Sequence, residues 1–351
     1  RASPREPLMS MQRIALASRP NGVPTADNFR LEQGEVPSPG PGQFAARTIW
    51  LSLDPYMRGR MDDGPSYAKP VEIGGTMEGG TVSEVIESNH PDYKPGDIVV
   101  GRMGWATHGL SDGEGMRKVD PAIAPISTAL GVLGMPGQTA YVGLNRILEG
   151  KAGETICVSA ASGAVGAVVT QLAKIKGMTV VGVAGGADKC AYVVEELGAD
   201  ACIDHRSVED GKQMAAKMAE AAPGGFDCYF ENVAGKTLLG LLPNMKQFGR
   251  IAICGMISLY SGNTMGDQNQ LPLLWRSLLV KKLRAQGFIV SDHMDMLKPF
   301  LDEVGPLVNS GRVKFRETVT EGLENAPEAF LGLLRGENFG KQLVRVGADP
   351  S

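Results

Sequence analysis

The chain has 351 residues, 43% apolar and 21% charged, the composition of a folded protein long enough for two domains. Its 35 Lys and Arg against 39 Asp and Glu give a formal net charge of −4, which argues against nucleic acid and acidic membrane as partners. Apolar runs are broken by Gly, Pro or charge before the roughly 18 residues that a membrane span needs.

The opening RASPREPLMSMQ has no apolar signal-peptide core, so the expected location is the cytoplasm. No Met begins it, and residues before Met9 or Met11 are expected to be foreign to the natural protein. Residues 1–125 are rich in Pro, Gly and short alternating runs. FAARTIWLSL (44–53), GGTVSEVIES (79–88) and GDIVVGR (96–102) read as strands between turn residues, with no long amphipathic helix. The texture changes near residue 126, where ISTALGVLGMPGQTAYVGLNRIL has helix-like spacing interrupted by Gly and Pro.

From 154 to about 290, strands and helices alternate. ETICVSA, MTVVGVA, ACIDH, FDCYFENV, GRIAICGMI and AQGFIV read as strands, with helical segments between them. Such alternation predicts an α/β fold with a doubly wound parallel sheet covered by helices on both faces. The last stretch, from 300, reads helix, strand, helix, strand. The five cysteines (Cys157, Cys190, Cys202, Cys228, Cys254) form no CxxC pair, and the four histidines are scattered. A disulfide framework or a metal centre is therefore not expected, and the thiols read as small buried hydrophobes.

The first strand–helix junction of the alternating region reads SAASGAVGAVVTQLAKIKG. Aligned on GxGxxG it is Ala161-x-Gly163-x-x-Gly166, with Ala in place of the first glycine. Gly163 would let the backbone approach a pyrophosphate, and Gly166 would let the helix pack close to the strand. The strand before and the βα units after supply the context that a dinucleotide site needs. About 20 residues further on, an acid would bind the 2′-hydroxyl of NAD. Here the strand ends Val183-Ala184-Gly185-Gly186, followed by Lys189. No carboxylate stands there to repel a 2′-phosphate, Lys189 supplies a positive charge, and His205 and Arg206 lie at the end of the next strand. The expected cofactor is NADP(H).

LSLDPYMRGRM (51–61), LGVLGMPGQTAYVGL (130–144), AASGAVGAVVTQLAKIKG (160–177), VAGGADKC (183–190), YFENVAGK (229–236), CGMISLY (254–260), QGFIV (286–290) and NFGKQLVRV (338–346) occur together. On these motifs the chain resembles the zinc-independent medium-chain dehydrogenases/reductases of the prostaglandin reductase and 2-alkenal reductase type, the bacterial NADPH-dependent curcumin reductases among them. The resemblance runs from about Met11 to Val346. It implies a β-rich GroES-like catalytic domain (1–130 and 301–351), an NADP-binding Rossmann domain (131–300), and a homodimer. By motif it assigns Gly163, Ala164, Val165 and Gly166 to the pyrophosphate and Gly185, Gly186 and Lys189 to the 2′-phosphate. His205 stands where relatives often carry Tyr, at the adenosine end. Asn232, Cys254, Gly255, Ile257, Ser258, Tyr260, Phe288, Ile289, Val290 and Asn338 fall at the nicotinamide end.

The implied reaction is hydride transfer to the β-carbon of an α,β-unsaturated ketone or aldehyde, with negative charge developing on the carbonyl oxygen. That chemistry needs a positioned hydrogen-bond donor rather than a strong acid or metal. Tyr260 is the first candidate and Tyr56 the second. Arg58 and Arg60 read as structural ion-pair formers. Quinone reduction, alcohol oxidation with NADP, and NADPH binding without turnover are the alternatives on this scaffold.

Overall fold

The structure, a computed structural model, describes residues 10–261 and 270–351. In chain order the first strands are β1 (Ser10–Leu16), β2 (Phe29–Glu35) and β3 (Phe44–Ser52), followed by the short helix α1 (Met57–Arg60). Next come β4 (Thr81–Ser88), β5 (Ile98–Gly101), β6 (His108–Ser111), β7 (Arg117–Lys118) and α2 (Met135–Val142). The alternating region is β8 (Thr155–Ser159), α3 (Gly166–Ile175), β9 (Thr179–Ala184), α4 (Ala187–Glu195), β10 (Ala201–Asp204), α5 (Gly211–Ala221) and β11 (Phe226–Glu231). It continues through α6 (Gly235–Leu241), β12 (Met245–Ile253), α7 (Leu271–Lys281) and β13 (Arg284–Gly287). The chain ends with α8 (Leu297–Asn309), β14 (Glu317–Glu321), α9 (Ala326–Leu334) and β15 (Lys341–Arg345). No helix among the described residues is long and apolar enough to cross a membrane.

The chain divides into two compact units. One comprises Arg1–Leu130 with Glu317–Asn338 and Gln342–Ser351; the other is Gly131–Arg316 with Phe339–Lys341.

In the first unit a sheet runs β14-β15-β3-β4-β5-β7. β3 pairs with β15 at Trp50–Ser52 and with β6 at Phe44–Arg47, so one long strand serves two partners end to end. β1 and β2 form a separate antiparallel pair, from Ser10↔Glu35 to Leu16↔Phe29. The alternating-run reading does not predict these two, because β2 (FRLEQGE) carries four polar or charged residues and is mostly exposed. The core is aromatic: Phe29 stacks on Trp105 with ring centroids 5.5 Å apart, and Phe330 of α9 meets both edge-on. Such contacts add about 0.5–1.5 kcal/mol per pair to the area they bury.

In the second unit six parallel strands run β10-β9-β8-β11-β12-β13. β8, β9 and β11 are buried along nearly their whole length, which is why their sequences are apolar runs rather than alternating ones. Cys157, Val181, Phe226, Tyr229, Met214 and Leu241 meet in the core between strands and helices. Helix starts follow local chemistry. The Asp210 carboxylate accepts from the N–H groups of Lys212 and Gln213 at 2.9 Å and caps α5. β8 and β11 are neighbours but lead to opposite halves of the sheet. Their carboxyl ends, Ser159 and Glu231, therefore border the crevice where such sheets bind ligands.

Candidate functional site

The turn after β8 is built by backbone. Gly163 N–H donates to Ala160 O at 2.9 Å, and Ala167 N–H donates back to Gly163 O at 3.0 Å. A Cβ at Gly166 would lie 2.2 Å from Ala160 O, so only glycine lets α3 start against the strand end. No side chain caps α3; the turn's own carbonyls take the N–H groups of Ala167 and Val168, and the positive end of the helix dipole lies at this turn. Ala164 and Val165 lie in this turn. The C-terminal segment reaches the same place: Gly340 forms a parallel bridge with Gly163. Gly340 has φ +75°, and a Cβ there would stand 2.1 Å from Arg316 O.

At the end of β9 the glycines have different jobs. Gly186 needs its left-handed backbone, φ +100°. The space a Cβ would fill at Gly185 is taken by His205 Nε2 at 2.8 Å and Arg206 Nε at 3.1 Å. The gap that sequence assigns to a phosphate is thus partly filled by two donor side chains. Lys189, half-buried in the first turn of α4, has its pKa lowered by burial and then by the nearby Arg206 charge. His205 is lowered by burial and by Lys236. Asp204 ends β10, and its Oδ1 accepts from Gly186 N–H at 2.8 Å and Arg206 N–H at 2.9 Å. Burial raises its pKa, but those donors outweigh it and hold the carboxyl below its usual range. The acid near this corner is committed to backbone, and the cluster around it is cationic.

At the end of β11 stands a residue that sequence reading passes over. Glu231, buried, takes the Tyr229 hydroxyl at 2.8 Å, Val233 N–H at 2.7 Å and Ala234 N–H at 2.8 Å on Oε1. Its backbone carbonyl accepts from Cys254 and Gly255 N–H at 2.9 and 3.0 Å. Oε2 is buried with no partner. Burial raises the pKa of this carboxyl against the pull of its donors. An acid inside the apolar run DCYFENV was the available signal. Asn232 is fixed from both ends: its N–H donates to Ser159 Oγ and its side-chain amide to Ser159 O, each at 2.8 Å.

Residues 254–260 are tied onto this turn. Ile257 N–H donates to Asn232 O at 3.1 Å, and Ser258 donates to Val233 O through both N–H and hydroxyl. Tyr260 follows a short 3-10 turn (Ile257–Leu259), and its hydroxyl accepts from Met256 N–H at 3.3 Å. The Cys254 thiol is pushed up to about 12 by burial and by Glu231, so it stays protonated. All five cysteines are free thiols. Among the described residues no three His, Cys, Asp or Glu side chains gather closely enough to hold a metal ion.

One expectation needs correction. Phe288, Ile289 and Val290 do not lie in a strand: β13 ends at Gly287, because its ladder partner β12 ends at Ile253. Phe288 keeps one bond, N–H to Ile253 O at 3.3 Å, and Val290 begins a 3-10 turn.

In the first unit, Tyr56 precedes α1 and packs partly buried against that unit's core. Burial, then Asp54, pushes its pKa up, so its hydroxyl keeps its proton. Arg60 lies 5.4 Å from its ring and pairs with Glu78 at 3.0 Å, while Arg58 pairs with Asp62 at 2.7 Å. Asn338 ends this unit's second segment, directly before Phe339.

Residues 12–119 match a family described as the N-terminal domain of oxidoreductase, and residues 164–304 match zinc-binding dehydrogenase. The chain is 49% identical over 340 residues to the NADPH-dependent curcumin reductase of Escherichia coli (strain K12), covering 96% of this chain and 97% of that one. It is 42% identical over 329 residues to prostaglandin reductase 1 of Mus musculus, covering 93% and 96%. The chain belongs to the prostaglandin reductase family of medium-chain dehydrogenases/reductases. The crystal structure of CurA from Vibrio vulnificus in complex with NADPH superposes with a TM-score of 0.91 at 43% identity, covering 96% of this chain and all (100%) of that one.

As a member of this family the chain is an oxidoreductase, and its cofactor is NADP(H). Its own residues suit that group: a backbone-built glycine turn at Gly163 before a helix that no side chain caps, and a cationic corner at Gly185–Lys189.

Proposed function

We propose that the protein uses NADPH to reduce the carbon–carbon double bond of α,β-unsaturated ketones and aldehydes. The observation that carries this reading is the Glu231-anchored loop 254–260. It ties Tyr260 to the carboxyl end of β11, the neighbour of β8, whose own end leads into the phosphate turn. The names of the relatives, curcumin reductase and prostaglandin reductase, point the same way.

In this reading Gly163, Ala164, Val165 and Gly166 bind the pyrophosphate. Gly185, Gly186, Lys189 and His205 hold the adenosine end with its 2′-phosphate. Asn232, Cys254, Gly255, Ile257, Ser258, Phe288–Val290 and Asn338 shape the nicotinamide end. Bound NADPH supplies the hydride that reaches the β-carbon. The task left to the chain is to hold the enone and to stabilise the oxygen on which charge develops. Tyr260 is assigned that role. A phenol accepting from a backbone N–H is a stronger donor through its own O–H. Tyr56, whose hydroxyl stays protonated, is the second candidate.

Incubation with NADPH and a linear enone, with NADPH and a quinone, and with NADP and a secondary alcohol tests the reading. NADPH oxidation with the enone, giving the saturated carbonyl, is expected. Turnover of the quinone or alcohol alone, or binding of NADPH without oxidation, would replace it. A size series of linear and bulky aromatic enones then sets the substrate class.

A homodimer belongs to the same reading. Trp275 (65% exposed), Val280 (51%) and Leu279 (78%) lie open on α7, and β13 ends the six-stranded sheet in an exposed strand. Apolar side chains beside an open edge are what a second copy would cover. Leu279→Glu with Trp275→Glu should shift light-scattering mass from dimer to monomer; a monomeric parent would remove the dimer from the proposal.

A further inference from the structure

The mapping from sequence accounts for Lys189 but for neither Arg316 nor Phe339. Both belong to the second unit, at the point where Gly340 meets the phosphate turn. The Arg316 guanidinium carbon lies 3.7 Å from the centre of the Phe339 ring. Lys189 Nζ lies 6.0 Å from the centre of that same ring, and Tyr192 of α4 packs its ring against Phe339 at 5.1 Å. Two cations therefore share one aromatic ring beside the turn. Arg316 is solvent-exposed, and among the described residues no carboxylate pairs with it.

The surrounding backbone fixes this place. Arg316 O accepts from Lys341 N–H at 2.9 Å and closes on Gly340 Cα, where any Cβ would stand 2.1 Å away. Stacking uses the face of a guanidinium and leaves its N–H edge for an in-plane acceptor. It also holds a long side chain in place before a ligand arrives, which lowers the ordering cost of binding. The ligand that suits two cations with one pre-set fork is a phosphate monoester, which Arg binds bidentately.

We propose that Arg316, held on the ring of Phe339, is a second cationic contact beside Lys189 for the 2′-phosphate of NADPH. The proposal rests on the reading that the end of β9 takes that phosphate, and it adds a residue from a distant part of the sequence to the selection of NADPH over NADH.

The test is equilibrium binding of NADPH, NADH and 2′,5′-ADP to the full chain, by calorimetry. Arg316→Gln should weaken NADPH and 2′,5′-ADP by roughly tenfold, the effect of one charge-assisted contact. NADH should change by less than about twofold. Arg316→Lys, which keeps the charge and gives up the stack, should recover part of the loss. The proposal is overturned if Arg316→Gln leaves NADPH binding unchanged or weakens NADH equally, and also if Arg316→Lys binds no better than Arg316→Gln. Lys189→Gln runs alongside. If it leaves the preference for NADPH over NADH intact, the 2′-phosphate reading itself fails, whatever Arg316 does.

Discussion

Gly163 and Gly340 are 177 positions apart in sequence yet pair backbone to backbone as a parallel bridge. One belongs to the turn after β8 and the other to the segment leading into β15. The second must be glycine for local reasons: it has φ +75°, and a Cβ there would stand 2.1 Å from Arg316 O. A phosphate turn braced from outside its own βαβ unit loses less freedom when ligand binds.

Gly340→Ala tests that bracing. The left-handed backbone and the close Arg316 carbonyl should together cost about 1–3 kcal/mol of stability, read as a lower urea midpoint. If the bridge braces the turn, the NADPH dissociation constant rises as well. A stable Gly340→Ala protein with parental NADPH affinity would show that the bridge plays no part in the site.

Cofactor choice is tested at Lys189. The half-buried ammonium shares its corner with Arg206, and burial together with that like charge already disfavours its charged form. A bound phosphate would relieve both. Lys189→Glu replaces attraction with repulsion and should raise the NADPH dissociation constant about 100-fold while moving that for NADH only slightly. Equal effects on the two cofactors would remove Lys189 from the 2′-phosphate site.

Tyr260→Phe removes one hydroxyl and keeps the ring. If that hydroxyl faces the developing oxyanion, kcat for an enone should fall by about 100-fold, the usual effect of losing one such donor. NADPH affinity should hold, because Asn232 and the backbone of residues 254, 255, 257 and 258 are held by bonds that do not involve the phenol, while Met256 N–H loses its acceptor. Unchanged turnover would move the role to Tyr56, and Tyr56→Phe is the next variant to assay.

The doubly wound sheet was legible because its central strands β8, β9 and β11 are short apolar runs bounded by turns, as burial on both faces requires. Lys189 was singled out because it follows a strand end, Gly185-Gly186, that carries no acid, and the structure does place it after β9 in the first turn of α4. Arg316 was not, since its meaning comes from a ring 23 residues later, and no local pattern records that contact. Glu231 was hidden differently: an acid inside an apolar run marks it, but the backbone N–H groups that its carboxyl serves carry no sequence signature of their own. Residues 286–290 show the limit of strand length read from apolar texture. QGFIV looks extended throughout, but the ladder stops at Gly287 where β12 has no further partner to offer.

Glu231 gives the site a pH signature. Its folded pKa is raised above the ordinary 4.5 by burial. The folded protein then holds this proton more tightly than the unfolded chain does. The resulting stabilisation is fully present below the unfolded value and is lost as pH rises from about 4.5 through the folded pKa. Glu231→Gln keeps an oxygen for Tyr229, Val233 and Ala234 but cannot ionise. The difference in melting temperature, Gln variant minus parent, should therefore grow more positive as pH rises above about 4.5. Glu231→Ala abandons the three donors instead and should be destabilised at every pH by at least about 2 kcal/mol. A Gln variant whose melting profile runs parallel to the parent's would mean that Glu231 titrates like an exposed carboxyl.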